Sequence, residues 1–479
     1  VTVKNGSSVI LNTAYAYRDV SWNRGSAQVE FRNVRLGSDS GMLLEGKKYS
    51  YDKAGNLVMI SESTGDFNKL VEYTYDSQNQ LTSEAYYKSG EAEAYITYNY
   101  TYDTAGNLLT VSQKKGNTTT LLQTYTYGDS QWRDLLTKVG GTTISYDASG
   151  NPKNWYNGTT YTGLTWKNGR QLAQITTGGR TSAYRYDADG IRTYKKVGSV
   201  AHEYRTLNGK VVYEKIGSGS TAKIMIFSYD AQGRPFAVKY STNNGGSYIT
   251  YFYALNQQGD VVKIFRSLPS RDSNGNLNGL TEAVYATYTY DAWGNILSQS
   301  GSMASTNPLR YRGYYYDSET GFYYLQSRYY DPATRRFINA DVYSSTDSSD
   351  AISCNMFAYC GNNPTSRSDE TGDFWNFIVG AVVGAVVNAV STAVDAVKEE
   401  VTDKVLHKYY EEVIKAENIM PISYINNVKA NLGEEFDVTF TVDVYPEVTL
   451  GEYKGLEVEK ETFEMTPEKL DAEITMMVN

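Results

Sequence analysis

A short aromatic unit that returns along the first 300 residues constrains the fold of this chain more than any other feature. The unit reads Tyr-x-Tyr-Asp, two variable residues, Gly-Asn and then an apolar residue. Where successive copies are clear, they are spaced by about 19 to 27 residues, a period typical of proteins whose units stack side by side. The clearest copies lie at 49–56 (YSYDKAGN), 73–76 (YTYD), 100–108 (YTYDTAGNL), 145–151 (SYDASGN), 184–190 (YRYDADG), 227–233 (FSYDAQG) and 288–296 (YTYDAWGNI).

The residues of one unit predict a β-hairpin. Side chains alternate across a strand, so Tyr-x-Tyr places two rings on one face. The Asp ends the strand and bonds the turn backbone, and Gly-Asn supplies the positive φ of a tight turn. Because a lone hairpin cannot bury its apolar face, we expect the units to form one continuous sheet in which the tyrosines make cross-strand rows.

The composition agrees with a mainly β fold, since the chain of 479 residues contains 45 Tyr and 41 Gly. Exposed tyrosines at a regular spacing are also typical of carbohydrate-binding surfaces, because aromatic rings stack on sugar rings. Sheet packing is the interpretation that we adopt, since every unit carries the same residues.

Charge and cysteine content exclude several classes of function. The net charge is −9, with the acidic residues spread along the chain, so we expect no nucleic-acid partner. The only cysteines, Cys354 and Cys360, form neither a disulfide framework nor a metal motif, and we expect both to be small buried residues. We predict no metal and no cofactor.

The repeats resemble the YD repeats of Rhs, WapA, Tc-toxin and teneurin proteins. About 300 residues carry this resemblance, which implies a spiral β-sheet shell over residues 1–300. Residues 309–341 (LRYRGYYYDSETGFYYLQSRYYDPATRRFINAD) are similar to the Rhs repeat-associated core. This similarity implies a plug over 301–372, and we predict hairpin turns at 317–321 and 331–335.

In self-cleaving members of this family, the core is an aspartyl protease that acts on its own chain. Two carboxylates held together can act as base and acid on one water molecule. The resemblance assigns this role to Asp341 and Asp369, assigns the accompanying arginine to Arg336, and places the cut near Asp373 and Phe374.

The sequence departs from the family pattern where prolines are usual. Val342 follows the first aspartate and Glu370 follows the second, and Glu370 adds a charge beside the predicted cut. The alternative is therefore that Asp341 and Asp369 only cap turns in the plug and that no cleavage occurs.

The composition changes at Phe374, where an Ala- and Val-rich segment begins. Polar residues interrupt it, and its longest apolar run, 377–387, is too short to span a bilayer. We predict a helical linker over 373–404. Gly-x-x-x-Gly at 380–384 leaves a membrane role for 374–397 as the alternative.

Residues 405–479 resemble trigger factor, most specifically at 446–458 (PEVTLGEYKGLEV), and predict a small α/β tail. The Gly-Phe-Arg-x-Gly-Lys loop that grips the ribosome in that family is absent, so no ribosome-binding residue can be assigned. His407 is the only histidine after residue 374, so we recognise no catalytic site there. The tail is either a natural effector or a fused passenger.

The combined resemblance implies a bacterial protein, secreted or at the cell surface, that encloses and delivers a C-terminal cargo in competition between bacteria. Its expected partners are its own cargo, an immunity protein, and a target cell surface or carbohydrate. One alternative is a structural or adhesive surface protein without a toxic payload. Another is a shell whose only chemistry is aspartyl self-cleavage. Because the chain begins with Val1, we expect it to be a fragment of a longer protein.

Overall fold

The structure is a computed structural model of the chain, which divides into two compact units, Val1–Val383 and Gly384–Asn479. It describes residues 2–5, 8–19, 25–36, 43–62, 69–271, 277–341, 352, 354–373, 376–377, 426–432, 436–441 and 463–465. The regular structure of these residues is almost entirely antiparallel β-sheet, which confirms the predicted mainly β fold.

The first sheet contains 12 strands, and each strand pairs with the one before it in the chain. They are β1 (Thr2–Asn5), β2 (Ser8–Asp19), β3 (Gly25–Leu36), β4 (Leu43–Tyr51), β5 (Leu57–Glu62), β6 (Lys69–Tyr75), β7 (Leu81–Tyr86), β8 (Ile96–Tyr102), β9 (Leu108–Lys115), β10 (Thr118–Thr126), β11 (Lys138–Val139) and β12 (Thr142–Thr143).

The second sheet contains 13 strands in the same sequential order. They are β13 (Trp155–Tyr156), β14 (Thr160–Lys167), β15 (Gln171–Thr177), β16 (Arg180–Tyr186), β17 (Arg192–Val197), β18 (Val200–Leu207), β19 (Lys210–Ile216), β20 (Lys223–Tyr229), β21 (Pro235–Ser241), β22 (Ile249–Leu255), β23 (Val261–Arg271), β24 (Leu277–Tyr290) and β25 (Ile296–Ser300). We refer to the two sheets together as the shell.

A four-stranded sheet follows the shell, and we call the segment 301–372 the plug. Its strands are β26 (Tyr315–Asp317), β27 (Phe322–Leu325), β28 (Arg328–Asp331) and β29 (Arg336–Phe337). Both predicted hairpin turns are present, since the Gly321 N–H donates to the Asp317 carbonyl at 2.7 Å and the Arg335 N–H donates to the Asp331 carbonyl at 2.8 Å. Short 3-10 turns occur at Gly219–Thr221, Tyr311–Gly313 and Tyr359–Asn362.

The predicted helical linker is not confirmed. Of its described residues, 373, 376 and 377, the last two form strand β31 (Asn376–Phe377), which pairs with β30 (Arg367–Ser368) at the end of the plug. The start of the segment thus continues the sheet structure of the plug. The rest of the linker lies outside the described residues, as does most of the tail. The described part of the tail forms a three-stranded sheet of β32 (Asn426–Leu432), β33 (Phe436–Thr441) and β34 (Phe463–Met465).

Each repeat turn is fixed by the carboxylate of its aspartate. Asp103 accepts hydrogen bonds from both the backbone N–H and the side-chain amide of Asn107, each at 2.9 Å. Gly106 between them has a φ of 77°. Only the glycine of Gly-Asn therefore has a positive φ, and the asparagine closes the turn through its side chain. The same pattern recurs at Asp52–Asn56, Asp147–Asn151 and Asp291–Asn295.

The second tyrosine of the unit ties each repeat to the one before it. The Tyr102 hydroxyl donates to the carbonyl of Leu81, which opens the return strand of the preceding unit, at 2.7 Å. Equivalent bonds of 2.7 to 3.0 Å join Tyr51 to Val29, Tyr127 to Leu108, Tyr186 to Leu172, Tyr229 to Val211 and Tyr290 to Val261. A hydroxyl that satisfies a strand carbonyl in this way fixes the spacing between neighbouring units.

The first tyrosine of the unit packs in the interior. Tyr100 is buried while Thr101 beside it is exposed, which confirms that the two tyrosines share one face. The predicted cross-strand rows of tyrosines are wrong, however, because Tyr100 lies opposite Val111 and Tyr73 lies opposite Glu84. Each tyrosine strand pairs with a return strand that carries other residues at those positions.

The plug packs against aromatic residues of both sheets of the shell. Every residue of β27 and β28 is buried, and one core cluster contains Tyr100 and Trp155 of the shell together with Phe322 and Tyr330 of the plug. The Trp155 indole N–H donates to the Asp331 carboxylate at 2.8 Å. Shell and plug therefore share a single core.

A buried charge cluster joins the second sheet to the plug. Arg192, with 1% of its side chain exposed, makes a bidentate pair with Asp317 at 2.6 and 3.0 Å, and Lys195 contacts the same carboxylate at 2.9 Å. Burial alone would raise the pKa of Asp317, but the two cations outweigh it and lower that pKa below its ordinary value. Loss of either partner would leave an uncompensated charge in the core.

Glu84 joins the first sheet to the last hairpin of the second. It is fully buried on β7, and its carboxylate accepts from the Ala292 N–H and the Tyr86 hydroxyl, both at 2.8 Å, as well as from the Tyr100 hydroxyl. Burial, together with the nearby charge of Asp291, raises the pKa of Glu84 to about 7.

We predict that Glu84→Gln removes part of the pH dependence of stability. The pKa of Glu84 is higher in the folded chain than in the unfolded chain, so its stabilising contribution is complete below the unfolded pKa and is lost as the pH rises through the folded pKa. Between about pH 5 and pH 7.5 the wild type should lose about 2 kcal/mol relative to the variant. Denaturant unfolding at both pH values measures this difference. The exposed Glu93→Gln is the control, and equal pH slopes for wild type and Glu84→Gln would contradict the prediction.

Candidate functional site

Arg328 in β28 brings the two predicted catalytic aspartates together. Its side chain is 3% exposed, and its Nη2 lies 2.8 Å from Asp341 Oδ2 and 3.4 Å from Asp369 Oδ2. Asp341 and Asp369 therefore both contact the same guanidinium nitrogen, although they are 28 positions apart in the chain. Their role as a catalytic pair remains a prediction.

The rest of the Arg328 guanidinium is held by the backbone around it. Its Nε donates to the Gly372 carbonyl and its Nη1 donates to the Met356 carbonyl at 3.0 Å. The guanidinium carbon also lies 3.6 Å from the centre of the Phe337 ring. Such a planar cation, fixed on several sides, can hold two carboxylates in a defined geometry.

Asp369 is the more buried member of the pair, with 2% of its surface exposed. Its Oδ1 accepts the Gly372 N–H at 2.7 Å, and its backbone N–H donates to the Tyr314 hydroxyl at 3.0 Å. Burial raises the pKa of the Asp369 carboxyl above its ordinary value, despite the opposing effects of Arg328 and the Gly372 N–H. A carboxyl with a raised pKa suits proton transfer near neutral pH.

The segment 369–373 lies against the turn between β27 and β28. Ser327 donates its backbone N–H and its hydroxyl to the Thr371 carbonyl, at 3.1 and 2.8 Å. Gly372 has a φ of 80°, and a Cβ at this position would lie 2.7 Å from both the Leu325 carbonyl oxygen and Ser327 Oγ. Only glycine fits this close approach.

Two hairpins of the shell also contact this segment. Arg170 Nη2 lies 3.1 Å from Asp373 Oδ1 and 3.9 Å from Asp341 Oδ1. Lys210 Nζ lies 3.0 Å from Glu370 Oε2. Glu370 is thus anchored to the shell by an ion pair.

Arg336 lies apart from the aspartate pair. Its guanidinium donates to the Tyr127 hydroxyl and to the Asp134 carbonyl, both at 2.7 Å, and no ion pair with Asp341 or Asp369 is found among the described residues. The arginine at the pair is Arg328, which the sequence analysis did not single out. A signal was available, because Arg328 precedes two aromatic residues in a strand, and a buried arginine needs an anionic partner.

The other predicted residues are distributed as follows. Asp373 is partly exposed, whereas Phe374 lies outside the described residues. No disulfide joins the cysteines: Cys360 is buried as expected, but the expectation for Cys354 is wrong because it is exposed. In the described part of the chain, no group of three or more His, Cys, Asp or Glu could hold a metal ion.

The alternative of a membrane role concerns 374–397, which lies almost entirely outside the described residues. None of the helical segments that are described is long and apolar enough to cross a membrane.

Comparison with known proteins gives two family matches. The teneurin YD-shell family matches residues 44–365, which is more than half of the chain. The family described as bacterial trigger factor protein matches residues 381–477. The two matches cover different parts of the chain, in agreement with the two resemblances seen in the sequence.

Curated relatives support both matches. The tRNA3(Ser)-specific nuclease WapA of Bacillus spizizenii is 33% identical over 316 residues, which cover 64% of this chain and 12% of that protein. Trigger factor of Fusobacterium nucleatum is 44% identical over 69 residues, which cover 14% of this chain and 16% of that protein. The chain thus spans only a small part of the length of the relatives that it matches.

Solved structures share the fold of the chain. A crystal structure of TcdB2-TccC3-Cdc42 aligns with a TM-score of 0.57 at 20% identity and covers 76% of this chain and 19% of that chain. A crystal structure of TcdB2-TccC3-TEV aligns with a TM-score of 0.56 at 19% identity, again over 76% of this chain and over 18% of that chain.

We predict that Arg328→Met destabilises the chain by about 3 to 5 kcal/mol, because it leaves Asp369 as a buried charge without its cation. Adding Asp369→Asn should recover a measurable part of this loss, since it removes that charge. Denaturant unfolding measures both effects, with the exposed Arg133→Met as the control. Wild-type stability of Arg328→Met, or no recovery in the double variant, would show that the pair does not depend on Arg328.

Proposed function

The chain belongs to the teneurin YD-shell family, and on this premise we propose that it closes a shell that encloses a C-terminal cargo and delivers it in competition between bacteria. The observation that carries this proposal is the position of the plug. Its strands β27 and β28 are wholly buried, and they share one aromatic core with both sheets of the shell. A shell closed in this way can separate a cargo from its surroundings.

Contacts with both sheets support closure. The Arg192–Asp317 pair joins the second sheet to the plug, and the Asn362 side-chain amide donates to the Gly106 carbonyl of the first sheet at 2.7 Å. Glu84 then joins the first sheet to the Ala292 N–H of the second. These bonds all lie in buried positions, where their loss is costly.

We propose the trigger-factor-like tail as the cargo, with an immunity protein as its partner in the producing cell. We propose a secreted or surface location, which the resemblance to the Rhs and WapA proteins implies. The nuclease activity in the name of the WapA relative describes that protein. We propose no nuclease activity here, because His407 is the only histidine in the tail.

A structural or adhesive surface protein is the competing function. A carbohydrate-binding array would need exposed repeat tyrosines, yet the first tyrosines of the units, such as Tyr49, Tyr100 and Tyr184, are buried. The exposed Tyr95 and Tyr248 lie outside the Tyr-x-Tyr-Asp units. The burial pattern therefore favours encapsulation over sugar binding.

Self-cleavage of the chain after Asp373 is a second candidate function, and the convergence of Asp341 and Asp369 on Arg328 favours it. In the proposed step, one carboxylate takes a proton from water, and the water oxygen bonds to the Asp373 carbonyl carbon. The C–N bond to Phe374 breaks and its nitrogen receives a proton from the other carboxyl. The products are a new carboxylate and a new terminal amine.

Co-culture tests the delivery proposal. The bacterium that encodes the chain should reduce the number of competing cells that lack the immunity protein, and the same bacterium with the chain shortened after Asp373 should not. Equal competition by the shortened chain would favour the structural or adhesive function. A polysaccharide-binding screen of the whole chain would then identify a surface ligand.

Intact-mass analysis of the whole chain tests the self-cleavage proposal. We expect wild type to separate into residues 1–373 and 374–479, and Asp341→Asn to stay whole because one member of the pair no longer transfers a proton. Asp189→Asn, an exposed change in a repeat turn, is the control and should be cut like wild type. An uncut wild type would mean that the two aspartates serve the plug only as structural residues.

A further inference from the structure

We infer that Arg170 of the shell is a positioning residue for the proposed self-cleavage, so that cutting is conditional on closure of the second sheet around the plug. This inference rests on the proposed self-cleavage and adds a means of regulation to it. All the other candidate residues of the site, namely Arg328, Asp341, Asp369 and Asp373, follow the shell in the chain.

Arg170 links a member of the aspartate pair to the residue before the predicted cut. Its Nη2 lies 3.1 Å from Asp373 Oδ1 and 3.9 Å from Asp341 Oδ1. Asp341 in turn forms an ion pair with Arg328, which also donates a hydrogen bond to the Gly372 carbonyl. The two arginines therefore hold residues 372 and 373, which precede the predicted cut, beside the two aspartates.

The position of Arg170 depends on folded repeat units. It lies in the turn between β14 and β15, and the carbonyl of Gly169 beside it accepts the Asn151 side-chain amide at 2.6 Å. Asn151 itself closes the turn of the preceding unit through its bond with Asp147. Arg170 reaches the plug only when two neighbouring units are folded against each other and against the plug.

A second contact from the shell acts on the same segment. Lys210 is the first residue of β19, and it pairs with Glu370 at 3.0 Å. Side chains from two hairpins of the second sheet thus hold residues 370 and 373. A plug outside the shell would lack both contacts.

Burial shows that the contribution of Arg170 is to geometry more than to stability. The side chains of Arg170 and Asp373 are 23% and 43% exposed. Ion pairs with this exposure contribute little to folding. Reacting groups, in contrast, are sensitive to small displacements, since a shift of about 1 Å can slow a reaction about 100-fold. Substitution of Arg170 should therefore preserve the fold and slow the cut.

The test is a time course of cutting in the whole chain, made by cell-free synthesis and followed by intact mass. We expect Arg170→Gln to be cut at least about tenfold more slowly than wild type, and Arg170→Lys to recover part of the rate because it keeps the charge. Arg180→Gln, an exposed change in β16, is the matched control and should be cut like wild type. Circular dichroism and the melting temperature show that each variant is folded.

Asp373→Asn removes the same contact from its other side, and so tests the inference even if Arg170→Gln fails to fold. It should slow the cut, and the double variant Arg170→Gln/Asp373→Asn should be no slower than the slower single variant, because both remove the same contact. If Arg170→Gln is cut at the wild-type rate, or if lysine recovers no more than glutamine, the inference is overturned while self-cleavage stands. An uncut wild type overturns both.

Discussion

A hairpin with one aromatic face needs a second surface on which to bury that face, and in this chain the plug supplies the surface. The turns of the shell are closed locally, by bonds such as Asp103 to Asn107, and neighbouring units are spaced by the bond from Tyr102 to Leu81. Neither bond covers the inward rings. That role belongs to β27 and β28, whose residues are all buried. Shell and plug must therefore fold together, although they are separate in sequence.

Buried charges in this aromatic core determine the register in which the plug packs against the shell. Arg192 is surrounded by tyrosine rings, including Tyr324 at 4.3 Å from its guanidinium carbon, and its charge is balanced by Asp317. Arg328 plays the same part for Asp341 and Asp369 near the end of the plug. A buried pair of this kind adds little net stability, but a wrong register would leave both charges without partners. The arginines thus determine how the plug fits rather than how strongly it is held.

The sequence predicted what is periodic or local. The hairpin units, the shared face of Tyr100 and Tyr102, and both turns of the plug follow from alternation and turn chemistry within a few residues. The arrangement around Asp341 and Asp369 was predicted only through resemblance, and Arg328, which contacts both aspartates, was not among the predicted residues. Arg336 and Arg328 belong to adjacent strands of one sheet, and only the folded arrangement shows that Arg328 is the one that contacts both carboxylates. The contact between Arg170 and Asp373 joins residues 203 positions apart, and no local sequence pattern predicts it.

The central claim is that plug and shell form one cooperative core, and hydrogen exchange of the whole chain tests it most directly. The amides of β27 in the plug and of β8 in the shell should exchange with the same free energy of opening and lose protection at the same denaturant concentration. Exchange of the β27 amides under conditions in which β8 remains fully protected would contradict the account, because the plug would then open without the shell.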